Sequence, residues 1–319
     1  MGQILVVENL KKHFVKKTWL GKKSSIVRAV DGVSFSVEDG ESFVLAGESG
    51  SGKSTIAKLI LRAIEPDAGK IIFEGNEITA KKEDLKKIRM GCQMVYQDPY
   101  DSINPQMKVK DIIAEPLEIH KIGNANQRIL DALHEVRLEP AEEIMEKYPH
   151  MLSGGQRQRV VLARAIVLKP RLIIADEPVS MLDVSIRAEI LELMEALRQK
   201  HKISFVYITH DLATARYFGT RIGILYLGKL VEVGPVSEVL LSPMHPYTQA
   251  LLDAVSDPDP KNLNAEKKIR INEPLKIDVY SGCRFRARCP YAFEKCQTEP
   301  ELEKIGQRHV ACFAKLTSS

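Results

Sequence analysis

The stretch Phe43-Val-Leu-Ala-Gly-Glu-Ser-Gly-Ser-Gly-Lys-Ser-Thr55 constrains this chain more than any other. It reads as an apolar strand, a glycine-rich turn and a helix beginning near Lys53. Residues Gly47, Glu48, Ser49, Gly50, Ser51, Gly52, Lys53 and Ser54 fit G-x-x-x-x-G-K-[ST], the phosphate-binding loop. The glycines let the backbone curl so that successive N–H groups face an anion. The helix from Ser54 and Thr55 aims its positive end at the same point. Lys53 is then expected on the β- and γ-phosphates of a nucleotide and the Ser54 hydroxyl on Mg²⁺. The competing reading is a glycine-rich strand–helix turn that binds nothing, and the rest of the chain argues against it.

Proceeding from the N-terminus, Ile4 to Leu10 predicts an opening strand. Val30 to Val37 alternates apolar and polar residues as a half-buried antiparallel strand does. Between them, residues 16–25 are basic and turn-rich. Met94 to Gln97 is a short apolar segment stopped by Pro99. From Asp101 to about Arg164 the spacing turns helical. Leu152-Ser-Gly-Gly-Gln then opens a helix for which Ser153 is the natural N-cap, and Gly154 and Gly155 leave backbone N–H groups uncovered. Residues 170–177 predict a buried parallel strand that delivers Asp176 and Glu177 at its C-terminal end, where ligands bind in open α/β sheets. Residues 203–210 predict another buried strand, ending on His210. Residues 221–233 read as a hairpin around Gly228. No internal repeat is present. Near Ser256-Asp-Pro-Asp-Pro the composition changes to that of a linker.

These signals stand in a fixed order: phosphate loop, Gln97, Leu152-Ser-Gly-Gly-Gln156, Asp176-Glu177, His210. Together they resemble the ATP-binding subunit of ABC transporters, the pentapeptide being the most specific piece. Ser242-Pro-Met-His-Pro-Tyr-Thr-Gln-Ala-Leu-Leu is similar to the C-terminal extension of the oligopeptide/dipeptide importer branch. The long N-terminal loop and the residues from Gly52 to Pro66 resemble the second of that branch's two paired ATPases. The resemblance implies an α/β fold: a RecA-like core with an antiparallel β subdomain and a helical subdomain at about 98–165. It divides the chain into a cassette, 1–256, and a cysteine-bearing extension, 257–319.

It also implies roles. Asp176 holds Mg²⁺ together with Ser54 and Gln97, and Glu177 is the general base for the attacking water. Adjacent acids on a strand end point to different sides, so they can do different work. Gln97 contacts Mg²⁺ or the lytic water and reports nucleotide state to the membrane partner. His210 contacts the γ-phosphate. Ser153, Gly154, Gly155 and Gln156 bind ATP held by the opposite subunit, and Asp183 links the two sites, although Met181 stands where the family has a smaller residue. Phe14 is expected to stack on adenine; a core role is its alternative, and His13 and Trp19 are neighbours that compete for the task. Two ATPase subunits, a heterodimer or a homodimer, are expected beneath two transmembrane permease subunits served by a solute-binding protein, with hydrolysis driving di- or oligopeptide import.

Composition sets the remaining bounds. A formal charge of +4 is mild for 319 residues and does not argue for a nucleic-acid partner. No apolar run approaches the length needed to span a bilayer, and the N-terminus lacks the features of a signal peptide. The expected location is the cytoplasmic face of the membrane, held peripherally. A soluble ABC ATPase acting on nucleic acid or ribosomes would usually carry paired cassettes or coiled-coil arms, which are absent. A non-hydrolysing regulatory subunit would have lost Glu177 or the signature, and both are intact. Sugar or metal cargo stays open.

Four of the five cysteines, Cys283, Cys289, Cys296 and Cys312, fall in the tail. In a reducing compartment that clustering points to a metal site. The count suits zinc or a [4Fe–4S] cluster. Zinc ribbons prefer C-x₂-C pairs, which are missing, whereas Cys289-Pro290 is similar to ferredoxin-like sites. The importer branch is also similar in this pattern, which implies [4Fe–4S], with zinc and then free or disulfide-bonded thiols as the alternatives. Cys92 is expected to be a small core residue.

Overall fold

The computed structural model describes residues 2–16, 25–254 and 280–315. The Trp19 loop, the linker after Ser256 and the boundary between 256 and 257 lie outside the described residues. Fourteen-residue strands β1 (Gln3–Lys16) and β2 (Ser25–Glu38) pair antiparallel, and after β3 (Ser42–Ala46) and α1 (Lys53–Ile60), β4 (Ala68–Phe73) and β5 (Asn76–Glu77) complete a four-stranded sheet in the order β2-β1-β4-β5. Helix α2 (Lys82–Gly91) buries Ile88 and exposes its lysines, as a solvated face should. Strand β6 (Cys92–Val95) follows, with Cys92 buried in the core as expected.

The chain then becomes helical: α3 (Pro99–Ser102), α4 (Val109–Ile119), α5 (Ala125–Glu135), α6 (Ala141–Ile144) and α7 (Gly154–Ile166). Ile112, Ile113 and Leu117 of α4, Ile129 and Leu133 of α5, and Val160 and Val161 of α7 recur at helical spacing and share one apolar cluster. The remaining elements are β7 (Leu172–Asp176), α8 (Val184–His201), β8 (Ser204–Thr209), α9 (Leu212–Phe218), β9 (Arg221–Tyr226), β10 (Lys229–Pro235), α10 (Val236–Leu241), α11 (Pro246–Ala254), β11 (Glu303–Ile305) and β12 (Arg308–Val310).

The main sheet has eight strands in the order β11-β12-β10-β9-β3-β8-β7-β6. Its centre, β9-β3-β8-β7-β6, is parallel. Strands β3, β7 and β8 are buried along their whole length, which explains why they read as continuous apolar runs. No described helix is long and apolar enough to cross a membrane.

The tail joins this sheet. β12 pairs antiparallel with β10, Glu232 opposite Val310 and Val233 opposite His309. Beneath that joint the Glu232 carboxylate is fully buried and accepts the N–H groups of Met244 and His245, each at 3.0 Å. Phe285, 1% exposed, packs edge-on against Tyr226 with ring centroids 5.3 Å apart.

Candidate nucleotide site

The parallel strands end on one side of the sheet, and their ends carry the site. The phosphate loop follows β3, Gln97 stands two residues beyond β6, Asp176 ends β7, and His210 follows β8. A cavity of about 610 Å³ opens there, lined by Gly47, Glu48, Ser49, Gly50, Gly52, Lys53, Ser54, Thr55, Gln97, Glu177 and His210. The cavity lies outside the carboxyl ends of the strands, the usual place of a ligand in an open α/β sheet.

Glycine is required at two loop positions. Gly47 has φ 153°, and a Cβ there would stand 2.2 Å from the Leu225 carbonyl oxygen; Gly52 has φ 112°, and its Cβ would stand 2.1 Å from that of Ala29. The backbone therefore lies directly against β9 and β2, and no side chain fits between. Lys53 is buried and donates from Nζ to the carbonyls of Gly47 at 2.8 Å and Glu48 at 3.0 Å. Burial lowers its proton affinity, against the pull of Glu177, Asp176 and Glu48. Ser51 is buried with its backbone carbonyl bonded to the Gly228 N–H at 2.7 Å, and it holds the loop to the β9–β10 turn.

Asp176 is 9% exposed. Burial raises its carboxyl above the ordinary value, opposed by a hydrogen bond from Ser54 and by Lys53. A buried carboxylate joined to a hydroxyl at a phosphate loop is an oxygen donor pair suited to a hard divalent cation such as Mg²⁺. Glu177 makes different contacts: its Oε1 meets His210 Nδ1 at 2.9 Å and its Oε2 accepts from Gln97 Nε2 at 3.1 Å. Its backbone is left-handed, φ 49°, pinned by a bond from its N–H to the Ile208 carbonyl at 2.9 Å. That region is uncommon for a non-glycine residue.

The signature segment stands outside the cavity lining. Ser153 caps α7 in a reciprocal box: Gln156 N donates to Ser153 Oγ at 3.2 Å, and Ser153 N donates to Gln156 Oε1 at 2.9 Å. The Gln156 amide is thereby engaged within its own helix. Asp183 is exposed at the N-cap position of α8 without a side-chain capping bond. Phe14 lies on β1 opposite Val27, 43% exposed, and is not among the cavity-lining residues. His13 is engaged by Asp31 at 3.2 Å.

Three lining residues escaped the sequence reading: Ala29 on β2, and Leu251 and Ala254 on α11. An amphipathic helix beyond the hairpin carries no local mark that it reaches the phosphate loop. The tail does carry one: the arginines of Cys283-Arg-Phe-Arg-Ala-Arg-Cys289, two of which are used there. Arg288 forks onto the Glu48 carboxylate with bonds of 3.0 and 3.1 Å, and Arg284 pairs with buried Asp31.

The four tail cysteines surround one small cavity with His245 and Phe285. Burial pushes the thiols of Cys283 and Cys289 up to about 11. Among the described residues, no group of three His, Cys, Asp or Glu side chains is arranged to hold a single metal ion.

A phosphate loop, a buried acid beside its serine, and a second acid gripped by a glutamine and a histidine define a P-loop nucleotide-binding protein. The comparisons with known proteins narrow the class. Residues 30–180 match the ABC transporter family model, and residues 231–296 match the oligopeptide/dipeptide transporter C-terminal region. The di/tripeptide transport ATP-binding protein DppF of Pseudomonas aeruginosa is 41% identical, over 98% of each chain. The oligopeptide transport ATP-binding protein OppF of Salmonella typhimurium is 41% identical, over 97% of this chain and 95% of its own. Among solved structures, the dimeric bacterial ABC transporter cassette MJ0796 is similar with a TM-score of 0.63 at 28% identity, over 73% of this chain and 98% of that one. The chain belongs to the family of ABC transporter ATP-binding proteins.

Proposed function

We propose that this chain is an ATP-hydrolysing subunit that powers the import of di- or oligopeptides through membrane permease subunits. The observation that carries the reading is the grip of Gln97 and His210 on the two oxygens of Glu177 at the mouth of the phosphate loop. That grip orients a carboxylate toward a water at the γ-phosphate, and phosphoryl transfer asks for such placement and for charge neutralisation. Lys53 and the loop amides meet the phosphates, while Ser54 and Asp176 hold the Mg²⁺ that neutralises them. Peptide cargo is supported by the C-terminal match and by the names of the relatives.

The site is completed by a second ATPase subunit. Ser153, Gly154 and Gly155 offer a helix N-terminus toward ATP bound on the partner, and the position of this segment outside its own cavity supports that use. Asp183 bridges the two sites and Phe14 stacks on adenine. Pairing with a different ATPase is the reading favoured here, with a solute-binding protein delivering cargo and the chain held at the cytoplasmic membrane face. The test is reconstitution with the permease subunits in vesicles: peptide uptake and peptide-stimulated ATP turnover are expected, and turnover indifferent to peptide rejects the cargo assignment.

We also propose a [4Fe–4S] cluster on Cys283, Cys289, Cys296 and Cys312. Support comes from the shared cavity of the four thiols. Such a group would supply cross-linking of the tail, with no part in hydrolysis. Anaerobic purification should give brown protein with about four iron atoms per chain; zinc in their place rejects the proposal.

A further inference from the structure

The phosphate loop is held from the C-terminal region of the chain. Glu48 has three polar groups, and each has a partner. Its carbonyl accepts from Lys53 Nζ at 3.0 Å, its N–H donates to the Tyr247 hydroxyl at 2.9 Å, and its carboxylate takes the Arg288 fork at 3.0 and 3.1 Å. Tyr247 is fully buried on α11 and Arg288 lies in the cysteine loop, both within the C-terminal region. Their seating is aromatic. The Tyr247 ring packs on Tyr226 at 4.5 Å and on Phe285 at 5.5 Å, and the Arg288 guanidinium lies 5.8 Å from the centre of the Phe285 ring. A second bridge runs beside the first: Arg284, buried, bonds the Leu227 carbonyl and the Asp31 carboxylate, next to the turn that fastens Ser51.

We propose that Arg288 and Tyr247 are positioning residues for ATP binding: by fixing Glu48 they fix the carbonyl that sets the place of the Lys53 ammonium. The extension is then a working part of the nucleotide site. Neither residue touches the nucleotide; both act through Glu48. This rests on the reading of the cavity as an ATP site. A planar guanidinium forking onto a carboxylate fixes direction as well as distance, which an ammonium cannot do. Glu48 is partly exposed, 43% at its side chain, so water weakens the pair and the effect is moderate.

The test uses the full-length chain with its partner subunits. Arg288→Ala and Tyr247→Phe should each raise the KM for MgATP about fivefold with kcat little changed. Arg288→Lys should recover part of the loss. Glu48→Ala should raise KM likewise, and Arg288→Ala combined with Glu48→Ala should be no worse than either alone, because one interaction is lost in all three. An unchanged KM in Arg288→Ala, even with a lowered melting temperature, overturns the proposal and leaves the pair a structural tie. Additive effects in the double variant overturn it too. Binding of a fluorescent ATP analogue separates this from the underlying reading: if the wild type does not bind it, the ATP site itself is wrong; if wild type and Arg288→Ala bind equally, only the positioning role falls.

Discussion

The imidazole of His210 stands 2.9 Å from one oxygen of Glu177, Nδ1 to Oε1, and leaves the other oxygen to Gln97. The two contacts come from the ends of β8 and β6, on either side of β7. They hold the carboxylate in one orientation in a position open to the cavity.

Replacing Glu177 by Gln keeps the shape and removes the basic oxygen. ATP turnover should fall about a hundredfold or more while ATP binding survives. Steady-state phosphate release and equilibrium nucleotide binding measure the two separately. Turnover at the wild-type rate removes Glu177 as the base.

Ser153→Ala deletes one half of the capping box on α7. Thermal or urea unfolding should register about 1 kcal/mol. On the proposed dimer, the larger effect is expected on hydrolysis by the paired subunits, because Ser153 is there proposed to bind the γ-phosphate of the neighbour's ATP, whereas binding to the isolated chain should be untouched. Hydrolysis reduced no further than stability accounts for would confine Ser153 to capping.

Gly47→Ala forces a methyl group against the Leu225 carbonyl oxygen, where the Cβ would lie at 2.2 Å. Either β9 or the loop must move. A loss of about 2–4 kcal/mol in stability, or the disappearance of ATP binding in a folded variant, is expected. Wild-type behaviour in both assays contradicts the observed closeness of loop and strand.

Asp31 gives a pH prediction. Burial alone would raise its carboxyl, but the Arg284 guanidinium, then His13 and Lys229, overcome it and hold the group below its ordinary 3.8. A depressed carboxyl stabilises the fold above its unfolded value, and that contribution drains away as pH falls through the folded value. Asp31→Asn should therefore cost about 2–4 kcal/mol near neutrality, where Arg284 is left unpaired. The gap from wild type should narrow on acidification below about pH 4. Urea midpoints measured from pH 6 downward would reveal it; a gap that stays constant means the ion pair does not carry the difference.

Much of the catalytic half was legible in the residues because its signals are local. The loop, the strand ending in Asp176, and the Ser153 cap each need only neighbours in sequence to be recognised, and the structure has all three, with Glu177 one residue past the strand. The tail was less readable. β11 and β12 are three residues each, too short for a period to show, and β12 is chosen by the edge of β10 far back in the chain. The Arg284–Asp31 and Arg288–Glu48 pairs likewise span most of the sequence. Both arginines reach the cassette, and no local pattern marks the partner of either contact. Phe14 is half exposed on β1 and is not among the cavity-lining residues, so its part at adenine rests on the resemblance.

The seating of β12 on β10 has a consequence for how the protein is handled. Until the last fifth of the chain arrives, β10 presents a free row of N–H and C=O groups, the kind of margin that recruits strands from other molecules. A shortened form ending before Arg308 would carry that margin permanently. Its first fault should be clumping, visible as growing light scatter, before any enzymatic deficit could be measured.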